Sequence, residues 1–482
     1  MILSRKIKSK YDEMPLRVKA SGWFFICSLL QKAISVLSTA VFTRLMSTDD
    51  YGLISIYNSW SDIFMIFASL NLAVGCFNVG MTKYENDRKN WVSSLQVLSV
   101  IATALFDVVF IATYPLWGKL IDIKFNYVLI MAITFFTIPA LNLWTSRQRY
   151  ECSYRKLVWI SIGYSILVFL LSFICVIFSD NKGAAKIYST SFVSIVIGFG
   201  LLISNISKDK PIAKKDYVRF AASYNMQMMP AFLATVILNQ IDRVMIDRMV
   251  GRDAAGIYSV AYNAAYMISI VASAINATYN PWLMKKVKDN NYEKVDKIGI
   301  SITEVLLIII FAFIFCAPEF VKIIASNDYY EAIYIIPAVA GSTFFSLVYT
   351  LYCPIAQYYL KVRQLASVTV ISALLNILLN YLAIAEWGYI AAGYTTYICY
   401  LIYGWGTGVY AIRLLKQNKI NSTIYRTGKL IALTVILTVV TVIAPFLYNG
   451  YLIRYSLFVC SIVFIVLTGK KYISLFADIK KG

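Results

Sequence analysis

Long apolar stretches alternate with short polar segments along the whole chain. A membrane-spanning helix needs about 20 mostly apolar residues, and by this measure the sequence contains fourteen such stretches. They lie near 22–43, 53–77, 92–114, 126–145, 157–178, 185–206, 220–240, 255–281, 298–316, 332–357, 365–385, 389–411, 430–447 and 451–468. The pattern therefore predicts an all-α polytopic membrane protein with about 14 transmembrane helices.

Basic residues are concentrated on one side of this predicted topology. With the N-terminus placed in the cytoplasm, the inside segments hold about three times as many Lys and Arg residues as the outside loops. A missed span would exchange inside and outside for everything after it, so the bias also supports the helix count. We expect both termini to be cytoplasmic and the first apolar stretch to be a retained span and not a removed signal peptide.

The longest wholly polar interruption, 207–219, is predicted to be a cytoplasmic linker between two six-helix lobes. The N-terminal lobe covers 1–206, the C-terminal lobe covers 220–411, and 412–482 holds two further spans and a cytoplasmic tail. Each lobe contains a D-x-x-G-x-x-S sequence after its first span, starting at Asp49 and at Asp253. Six helices return the chain to the same side, so the lobes are predicted to be parallel repeats.

Composition narrows the functional classes. Hydrophobic residues make up 59% of the 482 residues, with a mean hydropathy of +0.67, more than a soluble core can use. The net charge is +20, and the basic residues that produce it lie mostly in short loops between apolar stretches. This placement indicates membrane orientation and not a nucleic-acid partner. The chain has no histidine, no G-x-x-x-x-G-K-[ST] sequence and eight scattered cysteines. We therefore expect no catalytic site, no cofactor, no metal and no disulfide.

Ionisable residues inside spans are costly, so each requires a partner, a cavity or a route to the headgroups. Lys32 shares one face of the first span with several hydroxyls, which favours a hydrated lumen over snorkelling to the inner surface. Asp62 in the second span is another lumen candidate. Asp62, Asp107 and Glu304 could each hold a proton or a cation, or only form a local pair.

Polar stripes on the eighth span and at the end of the seventh add further candidates. Asn263 and Asn276 lie on one helical face of the eighth span, facing either a lumen or a neighbouring helix. Gln240, Asp242 and Arg243 end the seventh span and could instead pair at the interface. Arg44 holds the corresponding position on the first span, and an arginine fork suits phosphate oxygens.

Three local patterns resemble the Wzx-type lipid-linked oligosaccharide flippases of the MOP superfamily, which are related to the MATE exporters and the lipid II flippase. They are R-L-x-S-x-x-x-Y-G from Arg44 to Gly52, I-D-R-x-M-I from Ile241 to Ile246 with Gly256 and Tyr258, and N-I-L-L-N from Asn376 to Asn380 with Gly388 and Gly393 beyond. Together with the helix count, the resemblance covers essentially the whole chain.

This resemblance implies a two-lobed, V-shaped bundle that works by alternating access in the bacterial inner membrane. The implied cargo is an undecaprenyl-diphosphate-linked oligosaccharide for O-antigen, capsule or exopolysaccharide, with membrane lipids and possible polymerase and chain-length proteins as partners. Its diphosphate needs a cationic path and its sugars need amide and hydroxyl groups. The candidate path residues are Lys32, Arg44, Asp62, Gln240, Asp242, Arg243, Asn263 and Asn276.

Two other functional classes remain open at this stage. A MATE-type drug and cation antiporter shares the architecture but would need a net acidic cavity. A membrane-embedded glycan polymerase or ligase would display a large outer loop, whereas the longest one here, about 317–331, is too short for a domain. A structural scaffold would leave the intramembrane charges without a purpose.

Overall fold

A computed structural model describes residues 14–207, 212–289, 294–359, 362–418 and 424–481. Within these ranges the regular structure is helical and no β-strand occurs. Of the predicted linker 207–219, residues 208–211 lie outside the described ranges, and a helix begins at Lys215. The all-α prediction is therefore confirmed.

The described residues form eighteen α-helices and two 3₁₀ helices, Glu85–Asp87 and Asn327–Tyr334. The α-helices are α1 (Leu16–Leu45), α2 (Thr48–Ser69), α3 (Phe77–Lys83), α4 (Arg88–Ala112), α5 (Tyr114–Ile121), α6 (Phe125–Tyr150), α7 (Tyr154–Ile177), α8 (Lys182–Asn205), α9 (Lys215–Met249), α10 (Arg252–Tyr266), α11 (Ile268–Lys288), α12 (Val295–Phe315), α13 (Ala317–Ile324), α14 (Ile336–Tyr358), α15 (Val362–Trp387), α16 (Ala391–Gln417), α17 (Thr427–Leu447) and α18 (Tyr451–Lys481).

Twelve helical segments of the described ranges are long and apolar enough to cross a membrane. Two of the predicted spans are not among the twelve. One is α2, which carries three aspartates, and the other is the apolar part of α18, Tyr451–Leu467. With these two added, each of the fourteen predicted spans has a helical counterpart, so the prediction of about 14 spans agrees with the structure.

Two predicted spans differ from the observed helices. The second, 53–77, ends at Ser69, because Leu70 and Asn71 adopt positive φ angles of 52° and 48° that no right-handed helix can continue. The eighth, 255–281, is divided at Met267. There the amide N–H of Met267 bonds to the carbonyl oxygen three residues back, at Ala264, which tightens the turn. Both breaks interrupt apolar sequence, so hydropathy could not reveal them.

The compact parts of the chain divide into two units. Unit 1 comprises the chain up to Ser38 together with Tyr57–Leu233, and unit 2 comprises Thr39–Ile56 together with Ala234–Gly482. The boundaries fall inside α1, α2 and α9, so the end of α1 and the start of α2 belong to unit 2.

Each unit contains a short helix that supports the internal repeat. Helix α5 follows the long helix α4 in unit 1, and α13 follows α12 in unit 2. Both are eight residues long, both begin with a proline in the first turn, and both carry a lysine in the last turn. Proline is favoured there because it has no N–H to leave unpaired. This second match, which lies about as far apart as the D-x-x-G-x-x-S pair, strengthens the parallel-repeat prediction.

Helix α14 lies at the centre of unit 2. Of the residues in its most apolar stretch, 83% are buried, whereas only 17% are buried in that of α7 in unit 1. Helix α7 therefore presents an apolar surface suited to lipid, and α14 is covered by other helices.

The last helix is attached to the rest of unit 2 by a charged contact. The Arg454 guanidinium, which is fully buried, donates from Nη1 and Nη2 to the Glu319 carboxylate of α13 at 2.6 and 2.5 Å. Tyr455 also donates to Glu319, at 2.8 Å. Burial raises the pKa of Glu319, but the hydrogen bonds from Arg454 and Tyr455 outweigh it and hold the pKa below its usual range.

Candidate functional site

Unit 2 contains a cavity of about 270 Å³, which we call the unit 2 cavity. Helices α9, α10, α11, α14, α15 and α16 contribute to its wall. Ten of its lining residues are serine, threonine or asparagine and five are tyrosine. None of the described residues that line it is charged. The hydroxyl and amide members are Thr235, Asn239, Ser269, Ser273, Asn276, Ser342, Thr343, Ser346, Thr350 and Thr369.

Hydrogen bonds fix Asn239 in the cavity wall. Its Oδ1 accepts from the hydroxyls of Tyr262 and Tyr400 at 3.0 and 2.7 Å, and its Nδ2 donates to the Thr235 carbonyl at 2.7 Å. The amide and the two tyrosine rings are therefore held in place before any ligand arrives, which lowers the entropic cost of binding.

Two stacked tyrosine rings belong to the same wall. The rings of Tyr349 on α14 and Tyr403 on α16 lie 4.3 Å apart with an interplanar angle of 15°. Both tyrosines line the unit 2 cavity, so it offers an aromatic surface beside its hydroxyl groups. Such a combination binds ligands that have both apolar faces and polar edges.

A buried polar network surrounds Asp242, which is 0% exposed. Its Oδ2 accepts from the hydroxyls of Tyr258 and Thr396 at 2.5 and 2.7 Å, and its Oδ1 accepts from Asn380 Nδ2 at 2.7 Å. Asn380 also donates to Asn376 at 3.4 Å. The I-D-R and N-I-L-L-N sequences on which the family resemblance rests thus meet in one network, although they lie far apart in the chain.

Arg243 lies between this network and the unit 2 cavity. Its Nη1 donates to the Asn239 carbonyl at 2.6 Å and to Gln240 Oε1 at 3.0 Å. Its guanidinium carbon lies 4.2 Å from the centroid of the Tyr262 ring, within cation–π range. Asn239 and Tyr262 both line the cavity, so Arg243 brings a positive charge directly behind the wall.

The two D-x-x-G-x-x-S sequences pack against each other within unit 2. We call this contact the glycine seam. It consists of Thr48, Gly52 and Ser55 of α2 and Asp253, Gly256 and Ser259 of α10. The Oγ atoms of Ser55 and Ser259 are hydrogen-bonded, and a Cβ at Gly256 would lie 2.2 Å from the Thr48 carbonyl oxygen. The repeated glycine is therefore required because the helix backbones approach too closely for any side chain.

Arg44 contacts the end of α13. Its Nη2 donates to the carbonyls of Lys322 and Ile323 at 3.2 and 2.9 Å, and its Nη1 donates to Ala40 at 2.6 Å. A cation at a helix C-terminus is favourable because the last carbonyls lack intrahelical partners. The side chain remains exposed, so its predicted role toward diphosphate stays a prediction. The sequence could not reveal this contact, because the partners are about 280 residues apart.

The other predicted residues have different surroundings. In unit 2, Asn276 lines the cavity, Asn263 donates to Tyr51 at 3.4 Å, and Glu304 pairs with Lys429 at 2.5 Å. In unit 1, Lys32 is half-buried and Asp62 is exposed.

Asp107 in unit 1 is 6% exposed. Neither of its carboxylate oxygens has a hydrogen-bond partner among the described residues. An unpaired buried carboxylate is expected to take up a proton or a cation. Coupling to an ion at Asp107 therefore stays a prediction.

Most residues of the unit 2 cavity were not predicted. Serine, threonine and tyrosine are common in membrane helices as interhelical contacts, so their presence in α14 and α16 gives no clear signal. The high tyrosine content, 36 residues, was the feature that could have indicated an aromatic pocket.

The fold and the cavity define a multi-pass membrane protein with a polar, uncharged cavity in unit 2. Residues 18–287 match the family described as polysaccharide biosynthesis protein. The match covers more than half of the chain, and the chain belongs to this family. The resemblance to the Wzx-type flippases is thereby confirmed.

Two relatives are similar in sequence. An uncharacterised membrane protein of Methanocaldococcus jannaschii is 22% identical over 428 residues, which are 80% of this chain and 82% of that protein. A protein of Haloferax volcanii, described as a probable low-salt glycan biosynthesis flippase, is 21% identical over 253 residues. That match covers 52% of this chain and 51% of the relative.

Among solved structures, the lipid II flippase MurJ in an inward closed conformation has a similar fold. The TM-score is 0.66 at 14% identity, and the match covers 93% of this chain and 99% of MurJ. The shared fold is thus established over nearly the whole chain. The Haloferax volcanii relative is described as a probable flippase, which agrees with the expectation that this chain is not an enzyme.

Proposed function

We propose that this protein is a flippase that moves lipid-linked oligosaccharide units across a membrane by alternating access. The more specific form of the proposal is an undecaprenyl-diphosphate-linked unit for O-antigen, capsule or exopolysaccharide. In this form of the proposal the protein lies in a bacterial inner membrane, with both termini in the cytoplasm. Polymerase and chain-length proteins would act after the flippase.

The uncharged unit 2 cavity is the observation that carries this proposal. A sugar presents hydroxyl groups at its edge and C–H groups on its ring faces, so it needs hydrogen-bonding groups and an aromatic surface together. The cavity offers amides such as Asn239 and Asn276 and the stacked Tyr349–Tyr403 pair. A cationic drug would need a carboxylate in the wall, since burying an unpaired charge is costly. The cavity therefore favours a glycan over the cargo of a MATE antiporter.

The charged end of the cargo needs a different environment. Arg243 lies directly behind the cavity wall, and Arg44 and Lys32 remain proposed contacts for the diphosphate. Charge-assisted hydrogen bonds from guanidinium groups are about twice as strong as neutral ones, which suits a diphosphate. In this proposal the sugars bind in the unit 2 cavity, while cations outside it receive the phosphates.

Replacing Ser273 by leucine tests the role of the cavity. The larger apolar side chain removes a hydroxyl and fills space in the wall. We expect transport to fall at least about tenfold, because a penalty of only 1.4 kcal/mol produces that change. Transport is measured as lipid-linked glycan accessible at the outer leaflet, at matched amounts of protein in the membrane.

The matched control is Ser456→Leu on α18, where the serine is exposed and bonds only to its own helix. This variant should transport normally. Unchanged transport by Ser273→Leu would contradict the proposed cavity. Lipid-linked units that reach the outer leaflet without the protein, but fail to polymerise, would instead favour a polymerase.

A further inference from the structure

A second hollow lies in unit 1, at the junction of α3 with the first turns of α9. It has a volume of about 460 Å³. Lys83 and Tyr84 line it from the end of α3, and Arg219, Phe220 and Tyr224 line it from α9. We call it the cationic hollow. Sequence reasoning singled out none of these residues.

The walls of the cationic hollow are firmly joined. Asn225 of α9 is fully buried, and its Oδ1 accepts from the Cys76 amide at 3.0 Å. Its Nδ2 donates to the Leu70 carbonyl at 2.7 Å. The Tyr84 and Tyr217 rings lie 4.1 Å apart. The start of α9 is therefore fixed against the segment that carries Lys83, and the hollow exists without a ligand.

The cations of this region differ in their pairing. Arg88 pairs with Glu85 at 3.0 Å, and Lys214 pairs with Asp87. By contrast, Lys83 and Arg219 have no ion pair or hydrogen bond to a carboxylate among the described residues, and both face the same hollow.

The ammonium of Lys83 lies 4.2 Å from the Phe220 ring centroid and 5.3 Å from that of Tyr84. Although Lys83 is exposed, both distances are within cation–π range, so the ammonium lies beside the aromatic side chains of the hollow. Asp216 is the one carboxylate among the described residues that line the hollow, and these residues carry an excess of positive charge. This excess of positive charge suits an anionic ligand.

The position of the cationic hollow in the fold indicates what kind of anion would bind there. The residues from Lys83 to Asn90 are largely polar and lead into the apolar part of α4, one of the candidate membrane spans, so we place them where a bilayer meets water. Lipid phosphates lie at this level, and basic clusters there attract anionic headgroups. Phe220 and Tyr224 add an apolar surface beside the cations.

We infer that the cationic hollow binds the phosphate headgroup of a membrane lipid, with Lys83 and Arg219 contacting phosphate oxygens and Phe220 and Tyr224 contacting the apolar part. The phosphate could belong to an anionic phospholipid or to a polyprenyl diphosphate carrier. The inference concerns binding and does not depend on the proposed transport function.

Binding of each lipid to the full-length purified protein tests the inference. The probes are a polyprenyl diphosphate and phosphatidylglycerol, titrated separately in neutral detergent micelles. We expect the double variant Lys83→Gln/Arg219→Gln to bind at least one of them about tenfold or more weakly than the unmodified protein, because two charge-assisted contacts are lost. The control is Lys89→Gln, which removes an exposed cation of the same polar segment outside the hollow.

The outcomes show which of the two lipids supplies the phosphate group that binds in the hollow. Weaker binding of polyprenyl diphosphate alone identifies the hollow as a site for the carrier, and weaker binding of phosphatidylglycerol alone identifies a site for bilayer lipid. Weaker binding of both identifies a general phosphate site. Equal binding by the double variant and the unmodified protein overturns the inference, as does an equal loss in Lys89→Gln. A failure of the flippase proposal would leave these binding results unchanged.

Discussion

A disulfide across the glycine seam should stop transport completely and reversibly. The Oγ atoms of Ser55 and Ser259 are hydrogen-bonded, so cysteines at these positions would bring two sulfur atoms within bonding reach. The seam joins the two sequence repeats, and we propose that the repeats move apart there during alternating access. We expect Ser55→Cys/Ser259→Cys, in a background without the eight native cysteines, to be inactive when oxidised and active after reduction.

A second cysteine pair provides the control. Ser172 of α7 and Ser189 of α8 are hydrogen-bonded at 2.9 Å and belong to the same repeat. A disulfide between them should leave transport intact, because no movement is proposed within that helix pair. Gel mobility after thiol labelling measures the extent of oxidation in both variants. Full transport by the fully oxidised Ser55–Ser259 pair would exclude opening at the glycine seam.

The extent of the membrane helices could be predicted well, because crossing a bilayer demands a run of apolar residues that any sequence must display. The breaks after Ser69 and at Met267 could not, since the sequence stays apolar through both. Both are set by backbone conformation and hydrogen bonding, which hydropathy does not report.

The candidate site was predictable only in part. Asp242 and Arg243 stood out because they belong to the I-D-R pattern at the end of a predicted span, and because an arginine fork suits phosphate oxygens. The partners of Asp242 could not be inferred, because Asn380 and Thr396 lie 138 and 154 residues away in the chain. Glu304 could equally have been an ion site or one half of a pair, and its neighbour Lys429 comes from another helix. Long-range packing decides such cases, and a single sequence does not contain it.

The Asp242 network explains why two separate sequence patterns occur together. Asp242 belongs to I-D-R on α9, Asn380 to N-I-L-L-N on α15, and Thr396 to α16. A buried carboxylate is tolerated only when its oxygens are well supplied with donors. Each pattern thus requires the other. Together they fix the part of α9 that holds Asn239 in the wall of the unit 2 cavity and Arg243 behind that wall.

Replacing Asp242 by alanine should therefore cause a large loss of stability. It would leave the donors of Tyr258, Thr396 and Asn380 buried without an acceptor, at a cost of about 1–3 kcal/mol each. Asp242→Asn keeps one acceptor but turns an amide N–H toward the remaining donors, so its loss should be intermediate. Tyr258→Phe removes a single donor and should have the smallest effect.

The midpoint of thermal unfolding in detergent, followed by size-exclusion chromatography, measures this order. Asp289→Ala, at an exposed position in the same unit, is the matched control and should change stability by less than about 0.5 kcal/mol. An Asp242→Ala protein as stable as this control would show that the network does not hold α9 in place. If the predicted order is observed, transport should follow it, because Arg243 and Asn239 can serve the cavity only while Asp242 holds α9 against α15 and α16.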